Sequence, residues 1–195
     1  MAVAGLIPYT KPTDCLSSLG PSETAACIQS FVCKLSEIQN IYLSDIDEDL
    51  EPVGGAVDFS NATAFEAAIG DSGASWRCFC GIGSKPAAEK TTIELSKCRT
   101  KCIRATHNLT FAIDETNDVN YATLCDIEAY GWEGRMVFAT GDSIYGGEPN
   151  KGIRVQIDGS FIWNTGKDEI LRFEMTISWE GKKPPILIGP NPFAN

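Results

Sequence analysis

Two stretches near the C-terminus alternate apolar and polar residues almost throughout, and no other feature constrains the fold as tightly. Ile153, Val155, Ile157, Phe161 and Trp163 share one parity, opposed by Arg154, Gln156, Asp158 and Ser160. After the turn formers Asn164 to Asp168, Leu171, Phe173, Met175, Ile177 and Trp179 face one way. Arg172, Glu174, Thr176, Ser178 and Glu180 face the other. A period of two marks a strand with one dry and one wet side. Two such strands joined by a short Gly-containing connection predict a long amphipathic β-hairpin.

The same test finds further strands. Ile103, Ala105, His107, Leu109, Phe111 and Ile113 oppose Arg104, Thr106, Asn108, Thr110 and Asp114, and Ile93 and Leu95 alternate with polar neighbours just before them. Trp76 to Gly81 reads as a strand, Gly81 to Glu89 as a loop, and Ile38 to Leu43 as another strand. Helix signals are fewer. Ser22 caps a first candidate reaching Val32, and Asn61 caps a short one closed by Gly70, with a turn from Gly70 to Gly73. Thr116 or Asn117 caps a third, which carries Tyr121, Leu124 and Cys125 on one stripe and stops at Gly131. The segment from Lys182 to Asn195 is Pro-rich and is expected to leave the sheet as an extended arm. These elements predict a mainly β chain with one or two short helices (α+β), an antiparallel β-sandwich or barrel around the C-terminal hairpin. The expected organisation is an N-terminal arm and short helix over 1–40, one β-rich domain over 41–181, and a C-terminal arm over 182–195.

Charge narrows the function. Sixteen Lys and Arg against 26 Asp and Glu leave a net charge of −10. That sign opposes a protein that works by neutralising phosphates, and opposes a helix lying on an anionic membrane. No stretch is long and apolar enough to span a bilayer. The opening Met1 to Ile7 is closed by Pro8 and lacks a preceding basic residue, so it reads as an ordinary N-terminus and not as a signal peptide. The eight cysteines are therefore expected to be reduced and mostly buried. A zinc site is disfavoured because Cys78 and Cys80 have a single residue between them. The sequons at Asn61 and Asn108 mean little without a secretory route.

No catalytic constellation stands out, and no cofactor is expected. The one histidine, His107, sits on the apolar parity of its strand and is expected to be packed or at an interface. Gly141-Asp142-Ser143 resembles the start of a GDS-type esterase block, but that block's Asp-x-x-His partner is missing. Gly146-Gly147 lies between strands, and no phosphate-cradling motif is present. Asp45, Asp47 and Asp49 match the first ligands of a calcium loop. Leu50 and Ala56 stand where that loop needs Gly and Glu, so a solvated acidic loop is the better reading.

Three phrases carry a resemblance to a known family: Phe111 to Tyr121, Ser143 to Glu148, and Phe173 to Lys182. The run from Thr91 to Phe193 resembles tail-tube-type structural proteins of tailed bacteriophages in its order of strand, short helix, glycine turn, amphipathic hairpin and Pro-rich end. The resemblance implies a non-enzymatic virion protein, assembled in the host bacterial cytoplasm into rings, usually hexameric, that stack into a tube. It implies other virion proteins as partners and a genome that passes through without sequence-specific binding. An acidic wall repels phosphates and keeps DNA sliding. Asp158, Glu174, Thr176, Ser178 and Glu180 are the expected lumen-facing residues. Arg154 and Arg172 share their parity and need partners in a neighbouring strand or subunit. Asp45, Asp47, Asp49, Pro184, Pro185 and Phe193 are the expected inter-subunit contacts.

A solvated outer face accounts for the same carboxylates nearly as well. Two other functions remain beside the tube. One is a neck, adaptor or capsid-associated component of similar fold. The other is an exported binding domain whose cysteines pair as disulfides.

Overall fold

The computed structural model describes residues 37–46, 55, 57–59, 61–69, 76–96, 99–114, 118–147, 151–163 and 171–191. All lie in the second of the chain's two units, Lys34–Asn195. The helix expected after Ser22, the turn from Gly70 to Gly73, the hairpin turn from Asn164 to Asp168, and Asp47, Asp49 and Phe193 fall outside the described residues.

Six strands close into a barrel, each antiparallel to its neighbours. In lateral order they are β1 (Ile38–Ser44), β2 (Arg77–Ser84), β4 (Arg99–Ile113), β8 (Arg172–Glu180), β7 (Ile153–Ile162) and β5 (Trp132–Thr140), and β5 pairs back onto β1. Three more strands lie off the ring: β3 (Glu89–Ser96) on β4, β6 (Ser143–Gly146) on β5, and β9 (Ile186–Pro190) on β6. Two helices accompany them among the described residues, α1 (Ala62–Ala68) and α2 (Asp118–Tyr130). The architecture is therefore mainly β, as the alternation predicts.

The alternating side chains fill the barrel. Val155, Ile157, Phe173, Met175, Ile177, Leu109 and Phe111 meet in one buried cluster, joined by Met136 and Phe138 from β5 and by Ile41 and Leu43 from β1. A second cluster lies against the opposite face of β1 and β5. There Tyr42, Val137 and Ala139 pack with Phe59, Phe65, Trp76 and Ile144. Phe59 meets Phe65 and Trp76 edge-on, with centroids 5.1 and 5.0 Å apart. Over Ile41, Tyr42 and Leu43 of β1 and from Met136 to Ala139 of β5 both faces are thus buried, and the sequence there runs continuously apolar.

One end of each described helix shows its expected signal, while Gly70, expected to close α1, and Thr116 and Asn117, expected to cap α2, fall outside the described residues. The Asn61 side chain accepts from the Ala64 amide at 3.2 Å, capping α1. Gly131 ends α2 with φ +68°, its amide donating to the Ile127 carbonyl at 2.8 Å. Leu124 and Ile127 carry α2 into the barrel core, while Tyr121 stays largely exposed against the Phe161 ring.

Four expectations need correction. β2 continues to Ser84, where a loop was expected from Gly81, because Gly83 pairs directly with Phe111 of β4. β1 begins at Ile38, so the expected boundary at residue 40 falls inside a strand. The C-terminal arm does not leave the sheet: Ile186–Pro190 pairs with β6, Ile186 opposite Gly146 and Pro190 opposite Ser143. Its prolines fit because this is an edge strand. Trp163 shares the parity of the barrel core but is 70% exposed, since it lies one residue past the end of β7.

Candidate assembly surfaces

The register of β7 and β8 gathers the five residues expected to line a lumen. Asp158 sits opposite Thr176, Ser160 opposite Glu174 and Gln156 opposite Ser178. On the other edge of β8, Glu180 meets Thr106, Ser178 meets Asn108 and Thr176 meets Thr110. Asp158, Glu174, Thr176 and Glu180 are exposed and Ser178 is half-buried, all on the barrel's outer side. The structure therefore brings them together on one polar face.

Two ion pairs brace that face. Arg154 contacts Glu133 of β5 through Nε at 2.7 Å and Nη2 at 2.5 Å, finding its partner in the neighbouring strand. Arg104 holds Glu180 at 2.6 Å. Both pairs are about half-exposed, so each contributes no more than about 1 kcal/mol. Asp158 and Glu174 have no ionic partner among the described residues. They stand on a groove of about 730 Å³ between β2, β4, β8 and β7, with Ile82 on its β2 side. Small residues (Ser84, Ala112 and Ser160) complete that lining.

Of the expected contact residues, Asp45, Pro184 and Pro185 are described. Asp45 Oδ1 accepts from Trp132 Nε1 at 3.0 Å, which ties this carboxylate to its own barrel. Pro184 is exposed and Pro185 half-buried in the connection from β8 to β9.

His107 is packed, as its parity predicts. Its ring stacks on Trp179 at 5.1 Å and an interplanar angle of 5°, and Nε2 lies 3.0 Å from the Gly181 carbonyl. Lys85 also places its Nζ over the Trp179 ring, 5.7 Å from the centroid, and burial lowers the pKa of that amine. The reacting groups of a Ser-His-Asp device are not assembled around this imidazole among the described residues.

Cys78, Cys80, Cys102 and Cys125 are not joined in disulfides. Cys78 and Cys80 lie across β1 from Tyr42 and Asn40, and the Asn40 amide reaches both sulfurs at 3.9 and 3.7 Å. Burial raises the pKa of the Tyr42 phenol, and both thiols push it the same way.

Sequence reasoning missed the surface formed by β3 and the first half of β4. Glu89 pairs with Thr106 and Ser96 with Arg99, whereas β8 joins β4 only from Thr106 onward and β2 only at Thr110 to Ala112. The two strands therefore form a ribbon extending beyond the barrel, and every residue from Glu89 to Leu95 is exposed. Ile93 and Leu95 do alternate as expected, but their side faces outward, with Leu95 55% exposed, and Ile103 is exposed too. The signal that marks the ribbon is the run of basic residues Lys97, Arg99, Lys101 and Arg104, unusual in so acidic a chain.

These features define the class: a closed six-stranded antiparallel barrel with an external two-stranded ribbon. No known protein family and no curated protein matches the sequence. Among solved structures, a chain from the virion of a native gene transfer agent particle is similar with a TM-score of 0.37 and 9% identity. The match covers 57% of this chain and 88% of that one, and is too slight to carry function.

Proposed function

We propose that this chain is a non-enzymatic virion structural protein, and that it self-assembles into stacked rings of a phage tail tube. The observation that carries the reading is the β3–β4 ribbon. A two-stranded ribbon is at best marginally stable alone in water, and one that presents Ile93, Leu95 and Ile103 to solvent gains by being covered. Among the described residues β3 and β9 each have one edge without a partner strand, an open hydrogen-bonding row of the kind that recruits another chain. The net charge of −10 suits a conduit for nucleic acid, because phosphates do not adhere to an acidic wall. The resemblance to tail-tube proteins points the same way, and its three phrases fall on β4 entering α2, on β6 and on β8.

An exported domain held by disulfides has less support, because none of the four described cysteines is in a disulfide. Light scattering with negative-stain electron microscopy over a range of concentrations tests the proposal. Rings or tubes of uniform width are expected, and a compact monomer at every concentration would overturn it.

A further inference from the structure

The ribbon is the one strongly basic segment of an acidic protein. From Glu89 to Arg104 five Lys and Arg stand against two Glu, a net charge of +3 within a chain of −10, so the remainder carries −13. Nearly a third of the chain's 16 basic residues fall within this one stretch of sequence. Lys101 sits directly opposite Ile93, so one face of the ribbon presents Ile93, Leu95 and a lysine together.

The groove between β2, β4, β8 and β7 has the complementary pattern. Asp158 and Glu174 line it without ionic partners among the described residues, and no Lys or Arg lines it. Ile82, 65% exposed, supplies the largest apolar side chain that is open to solvent there. Ser84, Ala112 and Ser160 are small enough to let another backbone come close.

A chain cannot fill its own groove. The groove uses Thr110 to Ala112 of β4, and the ribbon's tip lies at Arg99 and Thr100 of the same strand. Ten residues of extended strand separate them by roughly 33 Å, with the tip directed away from the groove. We propose that the ribbon of one copy docks in the β2–β4–β8–β7 groove of a second copy, Lys101 on the Ile93 face and Lys90 on the opposite face of the ribbon meeting Asp158 and Glu174.

This inference rests on the self-assembly reading and specifies its contact. Ribbon and groove are different patches, so the contact is heterologous. Such a contact yields a ring where the rotation closes and a filament where it does not. It also places Asp158 and Glu174 at an interface between subunits and removes them from a lumen wall.

The test uses two charge-reversed forms of the full chain, Lys90→Glu/Lys101→Glu and Asp158→Lys/Glu174→Lys, with circular dichroism confirming their folding. Each alone is expected to need at least tenfold more protein for half-assembly by light scattering. Mixed in equal amounts, they are expected to regain wild-type assembly, since acidic ribbons then meet basic grooves and the wild-type pairing persists in the other direction. Should either double variant misfold, the neutral pairs Lys90→Gln/Lys101→Gln and Asp158→Asn/Glu174→Gln replace them, and weakened assembly by both is the expected result.

Variants that assemble like wild type would overturn the ribbon–groove contact and leave the self-assembly reading standing. So would two folded variants that stay dispersed when mixed. If the ribbon variant instead assembled normally but lost retention on a DNA column, the ribbon would be a nucleic-acid contact and the inference would fall. A wild-type chain that never assembles would remove the self-assembly reading itself, and the inference with it.

Discussion

Phe111 occupies the space that a side chain on its register partner Gly83 would need. A Cβ built on Gly83 would lie 2.6 Å from Phe111 Cδ2 and 3.3 Å from the Ile38 side chain. The glycine leaves the strand bare and the aromatic ring covers it from across the ladder, a pairing that lets a closed sheet bend. Phe173 covers Gly159 in the same way from a diagonal position, two residues from the register partner Met175, its ring 2.5 Å from where a Cβ would be. Gly83→Ala and Gly159→Ala are therefore expected to destabilise the chain by about 1–3 kcal/mol each, through displaced core rings. Urea unfolding followed by tryptophan fluorescence reads the loss, and unchanged midpoints would refute the packing argument.

The parity of β8 separates substitutions one and three residues apart. Phe173→Asp or Ile177→Asp places a carboxylate among fully buried apolar side chains and is expected to cost about 4 kcal/mol or more, enough to prevent folding. Glu174→Gln, on the outer face between them, is expected to stay within about 0.5 kcal/mol of wild type. Soluble yield and thermal unfolding distinguish the two. Equal tolerance would mean the strand is not two-faced.

Tyr42 makes stability depend on alkaline pH. Its phenol is raised above the ordinary 10.0 by burial first and by the Cys78 and Cys80 thiols next. Between the unfolded and folded values the native state holds a proton that the unfolded state has released. Stability is therefore complete below pH 10 and is lost as pH rises beyond it, by up to about 1.4 kcal/mol per pH unit. Tyr42→Phe is expected to flatten that decline relative to wild type while keeping the edge contact with Phe65, whose centroid is 4.6 Å away. Parallel declines in the two proteins would contradict the assignment.

His107 does structural work at the place where β4 leaves the barrel. His107→Phe keeps the stack on Trp179 and loses the contact with the Gly181 carbonyl, an expected cost of about 1 kcal/mol. His107→Ala also empties the space beside the indole, and the expected cost rises to about 2–3 kcal/mol. Denaturant midpoints of the two variants give the order directly, and an inverted order would mean that the ring is not packed as described.

The four described thiols differ in access. Cys80 is exposed, whereas Cys78, Cys102 and Cys125 are half-buried. A colorimetric thiol reagent is expected to label Cys80 first under native conditions, and Cys80→Ser to remove that fast phase. A fast phase that survives the substitution would place the reactive thiol elsewhere.

Where one side of a strand faces core and the other water, the chain spells out its own structure. β4, β7 and β8 were legible for that reason, and so was the common face of Asp158, Glu174, Thr176, Ser178 and Glu180. β5 was not. Met136 and Phe138 point into the barrel while Val137 and Ala139 enter the second cluster, so an element dry on both sides shows no alternation to detect. β9 was hidden by its prolines, which forbid a central strand and permit an edge one.

The ribbon shows the limit from the other direction. Ile93 and Leu95 alternate as correctly as Ile157 and Phe161, but the barrel ends before it reaches them, and alternation carries no record of what a face meets. The groove is further from the sequence still. Ile82, Ala112, Asp158 and Glu174 adjoin only because β2, β4, β8 and β7 are lateral neighbours. By itself the sequence determined the two-faced strands β4, β7 and β8 and which of their residues share a side, because those depend on backbone geometry and local periodicity. Only the tertiary structure decided the closure of β5 onto β1, the reach of the ribbon past the barrel and the groove. Each of these depends on hydrogen bonds between strands far apart in the chain, and no local pattern encodes which strands will meet.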